Sequence, residues 1–319
     1  MMKLKFVSLA ASIGLLGALL FYSDFSKVLE ILSRSSPLLV GLALAFSTLP
    51  MVSRAFRWKL LLKKIGIGLP ISRVFPVFMA GLFISNVTPA RSGEPFRSYL
   101  LKKREGIGFS NSISSVIIER VFDLLTLIAV SAAGILLVQG FFLAAILNLV
   151  IVVYLAFIAF AVTVCTSRKR VEAFSRFFVR LFGWLPVVKR AGHRIEDKAG
   201  NINESFMKYR SWPGVATLLL VSIFIWLLDG AVGYIAFRAL GIEVDLLLFT
   251  FIMAVSVLIG IATSLPGGIG SADAVMALLA SGLFGISLPL ATAGILLFRF
   301  LTIWYDMAVG AFFLGVSGK

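Results

Sequence analysis

Cysteine and histidine are almost absent from this chain of 319 residues, which has one of each, Cys165 and His193. A single cysteine excludes an intrachain disulfide and a thiolate metal cluster. A single histidine, placed in a basic connector, excludes a metal site built from several histidines and argues against a histidine-based catalytic triad. We therefore expect no metal and no cofactor. Because no catalytic constellation is recognised, we also expect that the chain is not an enzyme.

Charged residues are few as well. They make up 14% of the chain, whereas hydrophobic residues make up 60% and the mean hydropathy is +1.02. Ordinary soluble domains are about 45–50% apolar. The composition therefore predicts an integral membrane protein whose main solvent is lipid.

Acidic residues are half as frequent as basic ones, with 15 Asp and Glu against 30 Lys and Arg. The basic residues are concentrated in a few connectors, above all the segment 165–212, as the positive-inside rule expects of cytoplasmic loops. Anionic lipid headgroups are the expected partner of that surface. Nucleic acid is not, because the phenylalanines lie in apolar runs rather than beside the basic residues. The apolar start, 1–20, has no small-residue cleavage pattern after it and is expected to remain as a helix.

Long apolar runs predict the membrane helices, since a span needs about 20 apolar residues. We predict an all-α polytopic fold with six spans, over 4–22, 38–60, 111–138, 140–164, 213–238 and 288–315. Two further apolar runs, 71–104 and 246–284, are interrupted by TPARSGEPFR and SLPGGIGSAD.

The basic residues indicate the membrane topology of the two interrupted runs. If 71–88 crossed the membrane fully, Arg97, Lys102, Lys103 and Arg104 would lie outside. A re-entrant hairpin that enters from the cytoplasm keeps them inside. The same reasoning makes 246–284 a hairpin from the outer side, and it places both termini in the cytoplasm of a cell whose cytoplasmic (inner) membrane holds the protein.

This order contains an inverted-topology repeat within one integral membrane domain, 1–319, with pseudo-repeats over about 4–138 and 140–315. Each half has the order span, span, hairpin, span. Each element of the second half crosses or enters the membrane in the direction opposite to its counterpart in the first half. Pro89 and Gly93 share a P-x-x-x-G spacing with Pro266 and Gly270. Interrupted helices in corresponding positions of two halves are typical of a transport site near the membrane midplane.

Candidate substrate-binding residues are the polar, charged and turn-forming residues of the two interruptions and of the helices that follow. In the first half these are Asn86, Pro89, Arg91, Gly93, Glu94, Arg97, Glu119, Arg120 and Asp123. In the second half they are Pro266, Gly267, Gly268, Gly270, Asp273 and Arg299, with Arg54, Arg57 and Asp229 as further possibilities. Charges inside spans are costly and usually pair or bind a ligand. Arginine suits phosphate because its planar fork donates two hydrogen bonds to one anion.

Simpler interpretations exist for the same residues. The interruptions could be kinks or loops, the charged side chains could pair only with one another, and Arg57 and Arg97 could extend to the membrane surface. Trp58 suits an interfacial aromatic belt, and Trp226 a lipid-facing or packing position. In the binding hypothesis each turn leaves a half-helix N-terminus free for an anion. In this hypothesis TPARSGE binds a lipid headgroup, and LPGGIG supplies the close backbone turn that faces TPARSGE.

Three motifs in this order, NVTPARSGEPFR (86–97), IIERVFDLL (117–125) and SLPGGIGSAD (264–273), resemble the lysylphosphatidylglycerol synthase transmembrane-region family, the flippase-like domain proteins. The resemblance implies a stand-alone member without the soluble synthase domain. It also implies movement of lipid between leaflets. Asp273 departs from the family pattern, which has Glu at this position.

The expected function is that of a lipid flippase or scramblase for an anionic phospholipid, a hopanoid-type lipid or a polyprenyl-phosphate-linked lipid, with a lipid-modifying transferase as a possible partner. A membrane glycosyltransferase with a lipid-phosphate donor is one alternative; its candidate bases are Asp24, Glu30, Glu243 and Asp245. A secondary transporter of a soluble anion is another.

Overall fold

The computed structural model describes residues 2–88, 92–135, 212–263 and 265–317, with scattered positions between 152 and 208. These residues form helices and connectors without a β-strand. The helices are α1 (Met2–Tyr22), α2 (Phe25–Ser33), α3 (Pro37–Phe46), α4 (Thr48–Lys64), α5 (Ile71–Val87), α6 (Phe96–Glu105), α7 (Phe109–Ile135), α8 (Trp212–Ala239), α9 (Leu246–Ala262), α10 (Ser271–Phe284), α11 (Leu288–Arg299) and α12 (Tyr305–Ser317).

The predicted all-helical membrane fold is confirmed. In the described part of the chain four helical stretches have the length and hydropathy of a membrane span, and they are Pro37–Lys64, Gly214–Ala239, Pro266–Phe284 and Leu288–Val316. The predicted span 140–164 and the basic connector 165–212 lie almost wholly outside the described residues. The direction in which each helix crosses stays a prediction.

The first interrupted segment is a hairpin. Helices α5 and α6 pack side by side, and Arg73 at the start of α5 pairs with Glu105 at the end of α6 at an Nη1–Oε2 distance of 3.0 Å. At the turn, the backbone N–H of Gly93 donates to Thr88 Oγ1 at 2.8 Å. A Cβ at position 93 would lie 2.6 Å from the carbonyl oxygen of Ile84, so only glycine allows the chain to turn this closely.

The second interrupted segment is a hairpin of different construction. Between α9 and α10 the chain makes a 3-10 turn, Pro266–Gly268, and Gly267, Gly268 and Gly270 have φ angles of 59°, 67° and 87°. These left-handed conformations favour glycine. The two helices of this hairpin meet Phe237 of α8 at the ends away from the turn. Its ring centroid lies 5.4 Å from that of Phe249 in α9 and 6.3 Å from that of Phe284 in α10.

Each hairpin packs against the last span of the other half. Helix α5 packs along α12, while α9 packs along α7. The turn at Pro266–Gly268 also contacts α5, where a Cβ at Gly267 would lie 3.6 Å from the carbonyl oxygen of Asn86. Such reciprocal packing of the two halves is what an inverted repeat requires. The repeat itself stays a prediction, because most of the first predicted span of the second half lies outside the described residues.

The packing of α12 on α5 makes a testable prediction at Gly310. A Cβ there would lie 2.5 Å from the carbonyl oxygen of Met79 and 2.8 Å from Phe83 Cβ. Gly310→Ala should therefore reduce the free energy of unfolding by about 1–3 kcal/mol, the usual cost of overpacking. Gly315 on the same helix has no neighbour within 4 Å of such a Cβ among the described residues, so Gly315→Ala should be neutral or slightly stabilising. Melting temperatures of the two variants in detergent test this; equal values would contradict the packing.

Candidate functional site

Buried and partly buried charged residues form three sets of ion pairs where the hairpins meet α4, α7, α8, α11 and α12. Among the described residues these sets contain five arginines and six carboxylates. The arginines are Arg54, Arg57, Arg97, Arg120 and Arg299, and the carboxylates are Glu94, Glu119, Asp123, Asp229, Asp273 and Asp306. Burying an unpaired charge is expensive, so the pairing explains how these residues are tolerated inside the membrane domain.

Glu119 is the centre of the most deeply buried part. It is 0% exposed and pairs with Arg57, at an Nη2–Oε1 distance of 2.9 Å, and with Arg97. The guanidinium of Arg97 lies 4.9 Å from the ring centre of Trp58. Both arginines are buried, so the interpretation that they extend to the membrane surface is wrong. The interfacial position expected of Trp58 is wrong too: it is fully buried, and its Nε1–H donates to Ser115 Oγ at 3.0 Å.

Arg120 connects the first hairpin to α7. Its Nε lies 2.7 Å from Glu94 Oε2, and its Nη2 lies 2.9 Å from Asp123 Oδ2. Ser85 on α5 donates to the other oxygen of Glu94 at 3.4 Å. The internal ion pairing considered for Arg120 is therefore present. Its side chain keeps 31% of its surface exposed and lines two cavities described below.

Arg299 and Asp273 connect α11 to the second hairpin. One oxygen of Asp273 pairs with Arg299 Nε, and the other accepts the backbone N–H of Gly270 at 2.8 Å. The backbone N–H of Gly270, at the N-cap of α10, is thus engaged by a carboxylate of the same helix. Arg299 is 7% exposed, and its Nη2 has no hydrogen-bond partner within the described residues. A π-helical turn, Phe300–Trp304, follows it; such turns are frequent at functional sites.

Arg54 joins α4 to α8 and α12. Its Nη2 lies 2.5 Å from Asp229 Oδ2, and its Nη1 lies 3.4 Å from Asp306 Oδ2. Asp306 is not among the residues expected from the sequence, although it carries the same signal as Asp229, an acidic residue inside an apolar span. In the part of the chain that the structure describes, no group of three or more Asp, Glu, His or Cys residues is placed to hold a metal ion.

A cavity of about 420 Å³ lies where the two hairpin turns, α7 and α9 come together. Most of its wall is apolar, with residues such as Ile117, Leu124 and Ile261. Its charged lining residues are Glu94, Arg120, Asp123 and Arg299. Gly267 and Gly268 of the second turn form part of the wall, as the close backbone turn of the sequence analysis predicts. We call this the outer cavity.

A second, smaller cavity of about 90 Å³ adjoins it, and we call it the inner chamber. The two share Arg120, Asp123, Trp226, Val257 and Arg299. Most of the other chamber residues come from α4, α5, α8 and the last two helices, and the polar ones are Arg54, Asn86, Glu119, Asp229, Thr302 and Asp306. The sequence predicts a lipid-facing or packing position for Trp226. In the structure Trp226 lines both cavities, at the boundary between them.

The remaining predicted residues support these cavities or fall outside them. Six do not line either cavity: Arg57, Gly93, Arg97, Pro266, Gly270 and Asp273. Arg57 and Arg97 pair with Glu119, and Asp273 pairs with Arg299. Gly93 shapes the first turn, and Pro266 and Gly270 shape the second. Pro89 and Arg91 lie outside the described residues.

Comparisons with known proteins give the family. A UPF0104 membrane protein of Methanothermobacter thermautotrophicus is 27% identical over 322 residues, covering 95% of this chain and 90% of that protein. Another from Methanocaldococcus jannaschii is 27% identical and covers 94% of this chain and 92% of its own length. The glycosyltransferase AglD of Haloferax volcanii is 34% identical over 128 residues, which are 39% of this chain and 19% of that protein. Residues 6–310 match the lysylphosphatidylglycerol synthase TM region, so the chain belongs to that family, as its three motifs predicted.

Proposed function

We propose that this protein is a lipid flippase or scramblase for a lipid with a phosphate in its headgroup: an anionic phospholipid or a polyprenyl-phosphate-linked lipid. The hopanoid-type lipid expected from the sequence has no phosphate and is not part of this proposal. One observation carries the proposal. The outer cavity combines an apolar wall with two arginines, Arg120 and Arg299, at its boundary with a polar chamber. A lipid has the same two parts, an apolar chain and a charged headgroup.

The two arginines suit a phosphate in different ways. Arg299 keeps its Nε on Asp273 and has an Nη2 without a partner in the described part of the chain, so it offers a fixed donor. Arg120 is partly exposed and shares two carboxylates, so it can turn toward an arriving anion. Hydrogen bonds between arginine and an anion are about twice as strong as neutral ones, and a surrounding of low dielectric strengthens them further.

The hairpins supply a switch between two states. In one state Arg120 pairs with Glu94 on the first hairpin and Asp123 on α7. In the other, the phosphate replaces one of these carboxylates and loosens the contact between hairpin and helix. Exchange of arginine partners thereby couples headgroup binding to movement of a hairpin, as alternating access requires.

A membrane glycosyltransferase is the second candidate, favoured by the similarity to AglD. Its four candidate bases are all engaged away from the cavities. Asp24 pairs with Lys27, Glu30 with Arg34 and Glu243 with Arg238, while Asp245 caps α9 through the N–H of Leu248. The hydrogen bond from Lys27 lowers the pKa of Asp24, whereas a general base works best with a pKa near the operating pH. We therefore propose transport without covalent chemistry.

A transporter of a soluble anion is less well supported, because most of the outer cavity is apolar and a hydrated ion gains nothing from that wall. A lipid-modifying transferase that supplies the headgroup is the partner we propose.

Reconstitution tests the proposed function. Liposomes containing the protein should exchange a phosphatidylglycerol with a fluorescent acyl chain between leaflets at least tenfold faster than empty liposomes, as measured by dithionite quenching. Arg238→Ala is a suitable control variant, because Arg238 is exposed and lies outside both cavities. Rates equal to those of empty liposomes for phosphatidylglycerol and for a polyprenyl-phosphate lipid would contradict the proposal.

A further inference from the structure

The inner chamber has polar groups that the proposed phosphate site does not use. Trp226 Nε1 is buried and has no hydrogen-bond partner among the described residues. Asn86 is 5% exposed and lines the same chamber. Buried polar groups without partners are rare in folded proteins and usually mark a bound water or ligand.

The charges around the chamber restrict what that ligand can be. Its four carboxylates, Glu119, Asp123, Asp229 and Asp306, outnumber its three arginines. All four are already ion-paired: Arg54 holds two of them, and Arg57 holds the other two. Arg54 is thus committed to two carboxylates, and Arg120 and Arg299 bind the first phosphate in the proposed site, so the three arginines that line the chamber are all engaged and a second phosphate is disfavoured.

The free indole donor argues against an ammonium group as well. An ammonium has three N–H donors and no acceptor, so it cannot accept the indole N–H of Trp226. A hydroxyl group both accepts and donates. It can accept from Trp226 and donate to the amide oxygen of Asn86 or to a carboxylate. A chamber of about 90 Å³ has room for several water molecules, and hence for the carbons and hydroxyls of a small polyol.

We propose that the inner chamber is a subsite for hydroxyl groups of the headgroup beyond the phosphate, with Trp226 and Asn86 as its specificity-determining residues. This inference rests on the proposed function, since the phosphate bound by Arg120 and Arg299 at the shared wall is what brings the next part of the headgroup into the chamber. The substrate class is a phosphate-linked lipid that ends in a glycerol or a sugar.

Three lipids with identical labelled chains test this subsite in proteoliposomes: phosphatidylglycerol, which has hydroxyls; phosphatidic acid, which ends at the phosphate; and phosphatidylethanolamine, which has an ammonium. The wild-type protein should move phosphatidylglycerol about three- to tenfold faster than either other lipid, the effect expected of one neutral hydrogen bond. Trp226→Phe, which keeps a ring and loses the N–H, should bring the ratio of the phosphatidylglycerol rate to the phosphatidic acid rate close to one. Asn86→Leu should reduce the same ratio.

Trp304→Phe is the matched control, since Trp304 is exposed and lines neither cavity, and it should keep the wild-type ratio. Equal wild-type rates for the three lipids, faster movement of phosphatidylethanolamine, or an unchanged ratio in Trp226→Phe would overturn the subsite while leaving the flippase proposal standing. Movement of none of the three lipids, nor of a polyprenyl-phosphate lipid, would instead overturn the proposed function.

Discussion

Replacing Arg299 with lysine is expected to slow lipid translocation between tenfold and a hundredfold. Arg299 uses Nε to bind Asp273, and its Nη2 has no partner in the described part of the chain and is available to the phosphate. A lysine has one nitrogen and cannot hold Asp273 while it also binds an anion in the same fixed direction. The loss of one hydrogen bond to a charged group, about 1.5–3 kcal/mol, corresponds to this range of rates.

The choice of lysine protects the fold. Arg299→Ala would leave Asp273 buried without a cation, and a misfolded protein would say nothing about transport. Arg238→Lys makes the same chemical change on an exposed arginine and should keep the wild-type rate. The account of Arg299 would be refuted if Arg299→Lys, with a normal elution profile and melting temperature, retained at least half of the wild-type rate.

Glu119→Gln is expected to have the largest effect on stability. Glu119 is fully buried between Arg57 and Arg97, and Arg57 retains Asp123 after the change. The guanidinium of Arg97 would lose its paired carboxylate and remain among the rings of Trp58 and Phe78. Breaking a buried ion pair from one side costs about 3–5 kcal/mol. For a protein of this size that corresponds to a fall in melting temperature of roughly 5–15 °C.

Glu105→Gln is the matched comparison, because it breaks a pair whose arginine, Arg73, is largely exposed. Exposed ion pairs contribute about 0–1 kcal/mol, so this variant should melt within a few degrees of the wild type. Similar melting temperatures for the two variants in detergent would show that the buried pairs around Glu119 do not hold the first hairpin and α7 to α4.

The interrupted helices could be predicted because their signals are local. Proline and glycine in an apolar run, followed by Lys102, Lys103 and Arg104, indicated a hairpin before any contact was known. Arg120 and Arg299, which line both cavities, could be selected from the sequence for a similar reason, since a charge inside a span requires a partner or a ligand.

The partners of those charges could not be predicted, because pairing depends on which helices become neighbours. Arg97 pairs with Glu119 on another helix rather than with the nearby Glu94. Asp273 accepts the backbone N–H of Gly270 at the start of its own helix and also pairs with Arg299. Trp226 was missed because an aromatic residue in an apolar run has the same pattern whether it faces lipid, core or cavity. Only the arrangement of α8 beside the two cavities distinguishes these cases.

The most direct test of the central claim is native mass spectrometry of the protein purified in mild detergent. We compare the wild type with the double variant Arg120→Gln, Arg299→Lys, in which glutamine can still donate a hydrogen bond to Glu94. The account predicts that the wild type carries one phosphate-containing lipid, which is released and identified by its fragment masses, and that the double variant carries at most a tenth as much. Equal lipid occupancy in the two proteins, or a bound lipid without phosphate, would contradict the claim that these arginines form a phosphate site for a lipid.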